Sequence, residues 1–258
     1  MAGHSAVLTR RKAPPQACVI REIREIRGQF LENRMRHEVT TRRVLYEISG
    51  MQSIQPRKAE FLGANREPLA MEIYDAIGPI ADPPPMVVIL EGYPDPGFEQ
   101  KLGCKFMDME WTMSIARLIA ASGMTAITHT NRDPEPDALA LIDHLSAKAR
   151  KVGIWATSGH GPVALVAAKK AACAVLTNPI TKDFCPDTPL FVVRSGKDET
   201  HGLNTALDAF AARAIAENRP MTLVNYPDAL HSFELAMDGP ETGRILRQGL
   251  DFLRGHLM

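Results

Sequence analysis

The run Val152-Gly153-Ile154-Trp155-Ala156-Thr157, followed by Ser158-Gly159-His160-Gly161-Pro162 and then Val163-Ala164-Leu165-Val166-Ala167-Ala168, constrains this chain more than any other stretch. An apolar segment of strand length passes through a turn of small residues into an Ala-rich segment suited to a helix. The same exchange recurs on both sides of it. The patterns predict strands over Met86–Leu90, Met124–Thr130, Val152–Thr157, Ala172–Leu176, Pro189–Arg194 and Met221–Tyr226. Helices are predicted over Met107–Ser122, Pro136–Arg150, Pro162–Lys170, Leu203–Asn218 and Glu241–His256. Strands that alternate with helices imply an α/β fold with a mostly parallel sheet, right-handed crossovers and helices on both faces. Such sheets carry their sites at strand carboxyl ends. Ahead of them Val44 to about Ser53, Arg57–Leu62 and Leu69–Ala76 read as antiparallel edge strands, with Gly63-Ala64-Asn65-Arg66 as a turn.

The central stretch has the outline of a nucleophile elbow. A serine at a strained strand-to-helix corner holds its hydroxyl above the sheet, and the next backbone N–H faces a developing oxyanion. Ser158 is the candidate nucleophile and Gly159 N–H the candidate donor. Against the usual G-x-S-x-G, Ala156 and His160 stand at the two glycine positions. A rival register, aligning Gly159-His160-Gly161 with a G-H-S triplet, would put Gly161 at the nucleophile and leave the protein inert. It also lengthens the strand and buries Ser158 within it. The same residues could instead form an ordinary Ser-Gly turn at the start of a helix.

Two later strand ends supply partners. Leu190–Arg194 runs into Ser195-Gly196-Lys197-Asp198, and Met221–Tyr226 into Pro227-Asp228, with His231 just beyond. A serine hydroxyl is a weak nucleophile until an imidazole takes its proton, and the imidazole needs a carboxylate to hold its tautomer and stabilise its cation. The order Ser158, Asp198, His231, each just past its own strand, meets that requirement. Glu199 competes with Asp198, and Asp228 does so more weakly. His231 is one of eight histidines, singled out by its place after a late strand. Asp198, Glu199 and His201 share one loop without a second cluster, a poor metal site, so no metal is expected. The second oxyanion donor should come from the Gly/Pro-rich loop Glu91–Phe98 after Met86–Leu90, with Tyr93 N–H placed to provide it. A proline-stiffened turn without a ligand is the other reading of that loop.

At 258 residues the chain suits one large domain. A formal net charge of zero offers no global field for nucleic acid or an anionic membrane. No apolar run approaches membrane-spanning length, and Thr9-Arg10-Arg11-Lys12 has no apolar segment behind it, so a cytoplasmic location is expected. Cys18, Cys104, Cys173 and Cys185 show neither a C-x-x-C pair nor zinc spacing, and reduced thiols are expected. Residues 1–44 read as an extension: a disordered start, then an amphipathic helix from Val19 to about Thr40 with Ile20, Ile23, Ile26, Phe30, Leu31 and Met35 at helical spacing. Residues 1–50 hold ten Arg and Lys against five Glu. The helix could dock an acidic partner, or pack its apolar stripe on the domain or on a second subunit, which leaves a homodimer open.

Glu91-Gly92-Tyr93-Pro94-Asp95-Pro96-Gly97-Phe98, Trp155-Ala156-Thr157-Ser158-Gly159, Gly196-Lys197-Asp198 and His231-Ser232-Phe233 together resemble the α/β-hydrolase superfamily, and within it the dienelactone hydrolase-like branch. The similarity covers roughly residues 45–258. It departs from dienelactone hydrolases proper in having Ser158 where they use cysteine, Glu91 where a histidine often precedes the oxyanion glycine, and His160 at an elbow glycine. The resemblance implies acyl transfer to water without a metal or organic cofactor. The expected function is a serine hydrolase that cleaves a small carboxylic ester, lactone or thioester through an acyl-enzyme. A peptidase or amidase on the same fold, and a non-catalytic binding protein that retains the scaffold, are its rivals.

Overall fold

The computed structural model describes residues 40–78 and 81–258. The extension helix expected over Val19–Thr40, with any dimer or docking role, lies almost wholly outside the described residues. Thr40–Met258 forms a compact unit. Its strands are β1 (Arg57–Leu62), β2 (Pro68–Tyr74), β3 (Met86–Ile89), β4 (Thr125–His129), β5 (Val152–Thr157), β6 (Cys173–Thr177), β7 (Leu190–Ser195) and β8 (Met221–Tyr226). They form one sheet in the order β1-β2-β4-β3-β5-β6-β7-β8. The pairs β1/β2 and β2/β4 are antiparallel, and every pairing from β4 through β3 to β8 is parallel.

The helices are α1 (Asp95–Leu102), α2 (Glu110–Ala121), α3 (Pro134–Ser146), α4 (Gly161–Ala167), α5 (Leu203–Ala216), α6 (Phe233–Ala236) and α7 (Pro240–Leu257). Strand β5 shows why the sheet needs cover on both faces. Ile154 and Ala156 enter one core with Leu141, Leu165 and Leu207 from α3, α4 and α5, while Trp155 enters the other with Ile115, Leu246 and Leu250 from α2 and α7. A strand buried on both sides reads as a continuous apolar run, and β3, β4, β5 and β6 are buried at every position. Gly153 lets α7 approach, since a β-carbon there would lie 3.0 Å from a Leu257 methyl. No helix among the described residues is long and apolar enough to cross a membrane.

Two expectations are corrected. Val44–Ser53 is not a strand. It crosses α2 as irregular chain with one 3-10 turn at Met51–Ser53, entered through Gly50 at φ 83°. Its donors find partners outside the sheet, with Val44 N–H bonding Ser114 Oγ at 3.0 Å and Leu45 N–H bonding Glu234 C=O at 3.3 Å. The spacing of buried Val44, Met51 and Ile54 mimics alternation while serving an irregular segment. Within Glu91–Phe98 the loop gives way at Asp95 to α1. Pro96 and Gly97 read as helix breakers but occupy its first turn, where proline loses no hydrogen bond.

Candidate active site

Ser158 follows β5 directly. Thr157 is still extended, at φ −132° and ψ 154°, whereas Ser158 turns to φ 47° and begins a short 3-10 turn leading into α4. A left-handed serine is strained by about 1 kcal/mol or more and persists where its surroundings over-determine it. Those surroundings are close. Ile180 N–H, after β6, bonds Ser158 C=O at 2.9 Å, and a β-carbon on Gly161 would strike the Ile180 carbonyl. In this geometry Ser158 stands at the corner, and Gly161 is the first residue of α4.

His231 sits in the turn after β8, and Asp198 in the turn after β7. The His231 ring bridges them: Nδ1 lies 2.6 Å from Asp198 Oδ2 and Nε2 lies 2.9 Å from Ser158 Oγ. With the Nδ1 proton donated to the carboxylate, Nε2 is the acceptor that faces the serine hydroxyl. Thr200 N–H donates to Asp198 Oδ1 at 2.9 Å. Burial raises the Asp198 pKa, but the hydrogen bonds from His231 and Thr200 outweigh it and hold the carboxyl below its ordinary range. Of the competitors, Asp228 pairs with Lys197 at 2.6 Å, and Glu199 is exposed. Among the described residues no group of three or more His, Cys, Asp or Glu is arranged to hold a metal ion, and Cys104, Cys173 and Cys185 are free thiols.

The loop after β3 packs directly onto the elbow. A β-carbon on Gly92 would come 2.8 Å from the Gly159 carbonyl oxygen and from His160 Cα, and one on Gly159 would collide with the Tyr93 hydroxyl. Gly92 N–H donates to His160 Nδ1 at 2.7 Å. His160 is buried among the Tyr93 and Phe106 rings, at centroid distances of 5.4 Å and 4.3 Å. Burial first, and the neighbouring His129 second, lower its pKa to about 3, so the ring is neutral and free to accept.

Three buried polar residues surround this loop. Asn131, just past β4, donates through Nδ2 to Glu91 Oε2 at 2.9 Å and to the Tyr93 carbonyl at 3.1 Å, and through its backbone N–H to Asp95 Oδ2 at 2.7 Å. Glu91 has no exposed surface. Burial, then the adjacent Asp95, pushes its pKa up to about 9, so it holds a proton at neutral pH. Behind the elbow Glu234 is also fully buried, with Oε1 accepting from Thr177 Oγ1 at 3.3 Å and Thr157 Oγ1 at 3.4 Å. Burial raises its pKa. The sequence marks Glu91 and His160 only as departures from a motif and passes over Asn131, Asp95 and Glu234. A polar residue just past a buried strand, for Asn131, and an acid inside Phe233-Glu234-Leu235-Ala236 were the available signals.

By sequence the chain matches no family model and no curated protein. Its structure is similar to that of a hyperthermophilic esterase from the archaeon Pyrobaculum calidifontis, with TM-score 0.63, 14% identity, and 90% of this chain and 93% of that one covered. It is also similar to brefeldin A esterase, a bacterial homologue of human hormone-sensitive lipase, with TM-score 0.64, 10% identity, and 89% and 83% covered. Porphyromonas gingivalis dipeptidyl peptidase 4 matches 83% of this chain with 38% of its own, at TM-score 0.62 and 14% identity. A mostly parallel eight-stranded sheet in this order, flanked by helices and superposing on these enzymes, gives the chain the α/β-hydrolase fold.

Proposed function

We propose that this protein is a serine hydrolase of the dienelactone hydrolase-like kind, acting in the cytoplasm on a carboxylic ester, lactone or thioester of modest size. The observation that carries the reading is the continuous hydrogen-bonded chain from Ser158 Oγ through His231 to a buried Asp198 carboxylate, with the serine held at a left-handed corner. Esterases among the structural neighbours support ester hydrolysis as the coarse activity.

In this reading Ser158 Oγ attacks the carbonyl carbon while its proton passes to His231 Nε2. Asp198 stabilises the imidazolium. The tetrahedral oxyanion accepts hydrogen bonds from the N–H groups of Tyr93 and Gly159. As the acyl C–O or C–S bond breaks, His231 returns the proton to the leaving alcohol or thiol. Water then attacks the acyl-enzyme, gives its proton to His231, and the acid departs as that proton returns to Ser158. A cavity of about 340 Å³ lined by Tyr93, Pro94, Gly97, Phe98, Lys101 and Leu102 adjoins the loop and supports a small substrate group there.

The test is intact-mass analysis after treatment with a fluorophosphonate, on wild type and Ser158→Ala together with hydrolysis of p-nitrophenyl acetate. A single adduct and ester turnover, both lost in Ser158→Ala, are expected. Absence of both in folded wild type would leave the non-catalytic scaffold as the better account. The likeness to a dipeptidyl peptidase favours an amidase as second reading, which requires anilide cleavage at rates comparable with esters.

A further inference from the structure

An oxyanion donor lowers a barrier only if its peptide is oriented before the reaction begins. The Tyr93 N–H belongs to the Gly92–Tyr93 peptide, and the peptides on either side of it are each held by a side chain. On one side Gly92 N–H is bound by His160 Nδ1 at 2.7 Å. On the other the Tyr93 carbonyl is bound by Asn131 Nδ2 at 3.1 Å. His160 belongs to the elbow itself, two residues after Ser158, whereas Asn131 extends from the carboxyl end of β4. The loop that would present one donor is therefore fastened to the turn that carries the nucleophile and the other donor.

The anchor is well defined. His160 is buried, and the Phe106 and Tyr93 rings set the plane of its imidazole. Asn131 is oriented in turn by Glu91 and Asp95. A glycine, the usual residue at position 160, has no side chain with which to accept the Gly92 N–H.

We propose that His160 is a positioning residue. Through Gly92 it fixes the peptide that aims Tyr93 N–H at the oxyanion formed on Ser158, with Asn131 as the second anchor. This rests on the serine-hydrolase reading above. Its action is felt in the transition state, where the oxyanion exists, and little in the ground state.

The test compares wild type with His160→Leu, His160→Asn and His160→Gln, using p-nitrophenyl acetate for kcat and KM, phenylboronic acid as a tetrahedral mimic, and thermal melting for foldedness. Asn places Oδ1 close to the position of His Nδ1 and can accept the same N–H, whereas Gln carries its polar atoms one carbon further out. Leu removes the acceptor. His160→Leu and His160→Gln are expected to lose about 100-fold in kcat with KM within about twofold, and to lose phenylboronic acid affinity in parallel. His160→Asn should recover kcat to within about tenfold of wild type. Should the Leu variant not fold, the Asn and Gln pair still decides. Equal kcat for these two, or wild-type kcat in His160→Leu, overturns the inference. Failure of the wild type to take a fluorophosphonate and to cleave the ester overturns the serine-hydrolase reading instead, and this inference with it.

Discussion

Gly159 has no room for a side chain, because the Tyr93 hydroxyl lies where its β-carbon would be. Gly159→Ala should therefore push the Tyr93 ring aside and strain the Gly92–Tyr93 peptide behind it, disturbing the Tyr93 N–H donor while the Ser158–His231–Asp198 bonds stay formed. A drop of roughly 100-fold in kcat for p-nitrophenyl acetate is expected, because an ångström-scale misplacement costs about that much. Pairing it with Tyr93→Ala, which removes the obstructing ring, should recover part of the loss. A Gly159→Ala enzyme with unchanged kcat would show that this contact is not needed. At the same scale, Ser158 can be picked out in the sequence because it follows a strand pattern directly, and His231 because it lies just past the turn that ends the last one. Asp198 is preferred to adjacent Glu199 there because Gly196-x-Asp198 gives the turn its usual length, but which of two adjacent acids faces a histidine thirty-three residues away is fixed only by how the β7 and β8 turns meet. They meet tightly, since a β-carbon on Gly196 would collide with the Pro227 carbonyl.

Strands β5 and β6 and the short helix α6 converge on Glu234, which lies under the elbow. Thr157 Oγ1 donates to the Thr177 carbonyl at 3.0 Å and Thr177 Oγ1 to Thr157 Oγ1 at 2.9 Å, and Glu234 Oε1 shares their protons through longer contacts of 3.3 Å to Thr177 Oγ1 and 3.4 Å to Thr157 Oγ1. Burial raises the Glu234 pKa, which favours the neutral acid and a stabilising role through shape and hydrogen bonding. Glu234→Gln, neutral and of the same shape, should keep stability within about 1 kcal/mol of wild type, whereas Glu234→Ala should cost roughly 2–3 kcal/mol through the cavity and lost acceptor. Urea unfolding of the two variants checks this, and equal losses would count against it. Element boundaries show the matching limit of sequence pattern. The edges of β5 and β8 are legible because both strands end at abrupt turns, but α1 is hidden by a proline and a glycine that its first turn tolerates.

Across the whole molecule the buried ionisable groups set how stability varies with pH. Burial, against a hydrogen bond to the Thr130 carbonyl, lowers the His129 pKa from 6.5 to about 4, and His160 falls from 6.5 to about 3. Below 6.5 the unfolded chain takes up protons that the folded one refuses, so their contribution to stability is lost as the pH falls through 6.5 towards 4 and 3. Glu91 has the opposite sign. Its pKa rises from 4.5 unfolded to about 9 folded, so between these values its contribution declines as the pH increases. Glu91 opposes the two histidines between about pH 7 and about pH 5, so the histidine contribution is read as a difference: on going from about pH 7 to about pH 5, the urea midpoint of His160→Asn should rise relative to that of wild type. Glu91→Gln should gain stability relative to wild type at about pH 8. The same change in midpoint between about pH 7 and about pH 5 in wild type and His160→Asn would contradict the histidine assignment.

The alternation of strand and helix patterns along residues 86–256 determines a parallel α/β sheet, because a run buried on both faces can be covered only by helices that return the chain in the same direction. Turn chemistry determines that Ser158, Asp198 and His231 all lie at one end of that sheet. Local pattern extends no further. That His160 faces Gly92 rather than Ser158, that Asn131 joins Glu91 and Asp95 around Tyr93, and that Glu234 closes the underside of the elbow are contacts between residues 36 to 77 positions apart. Only the tertiary structure decides them, because a buried polar side chain takes the partner that packing brings within hydrogen-bond reach, and packing is set by the whole sheet at once.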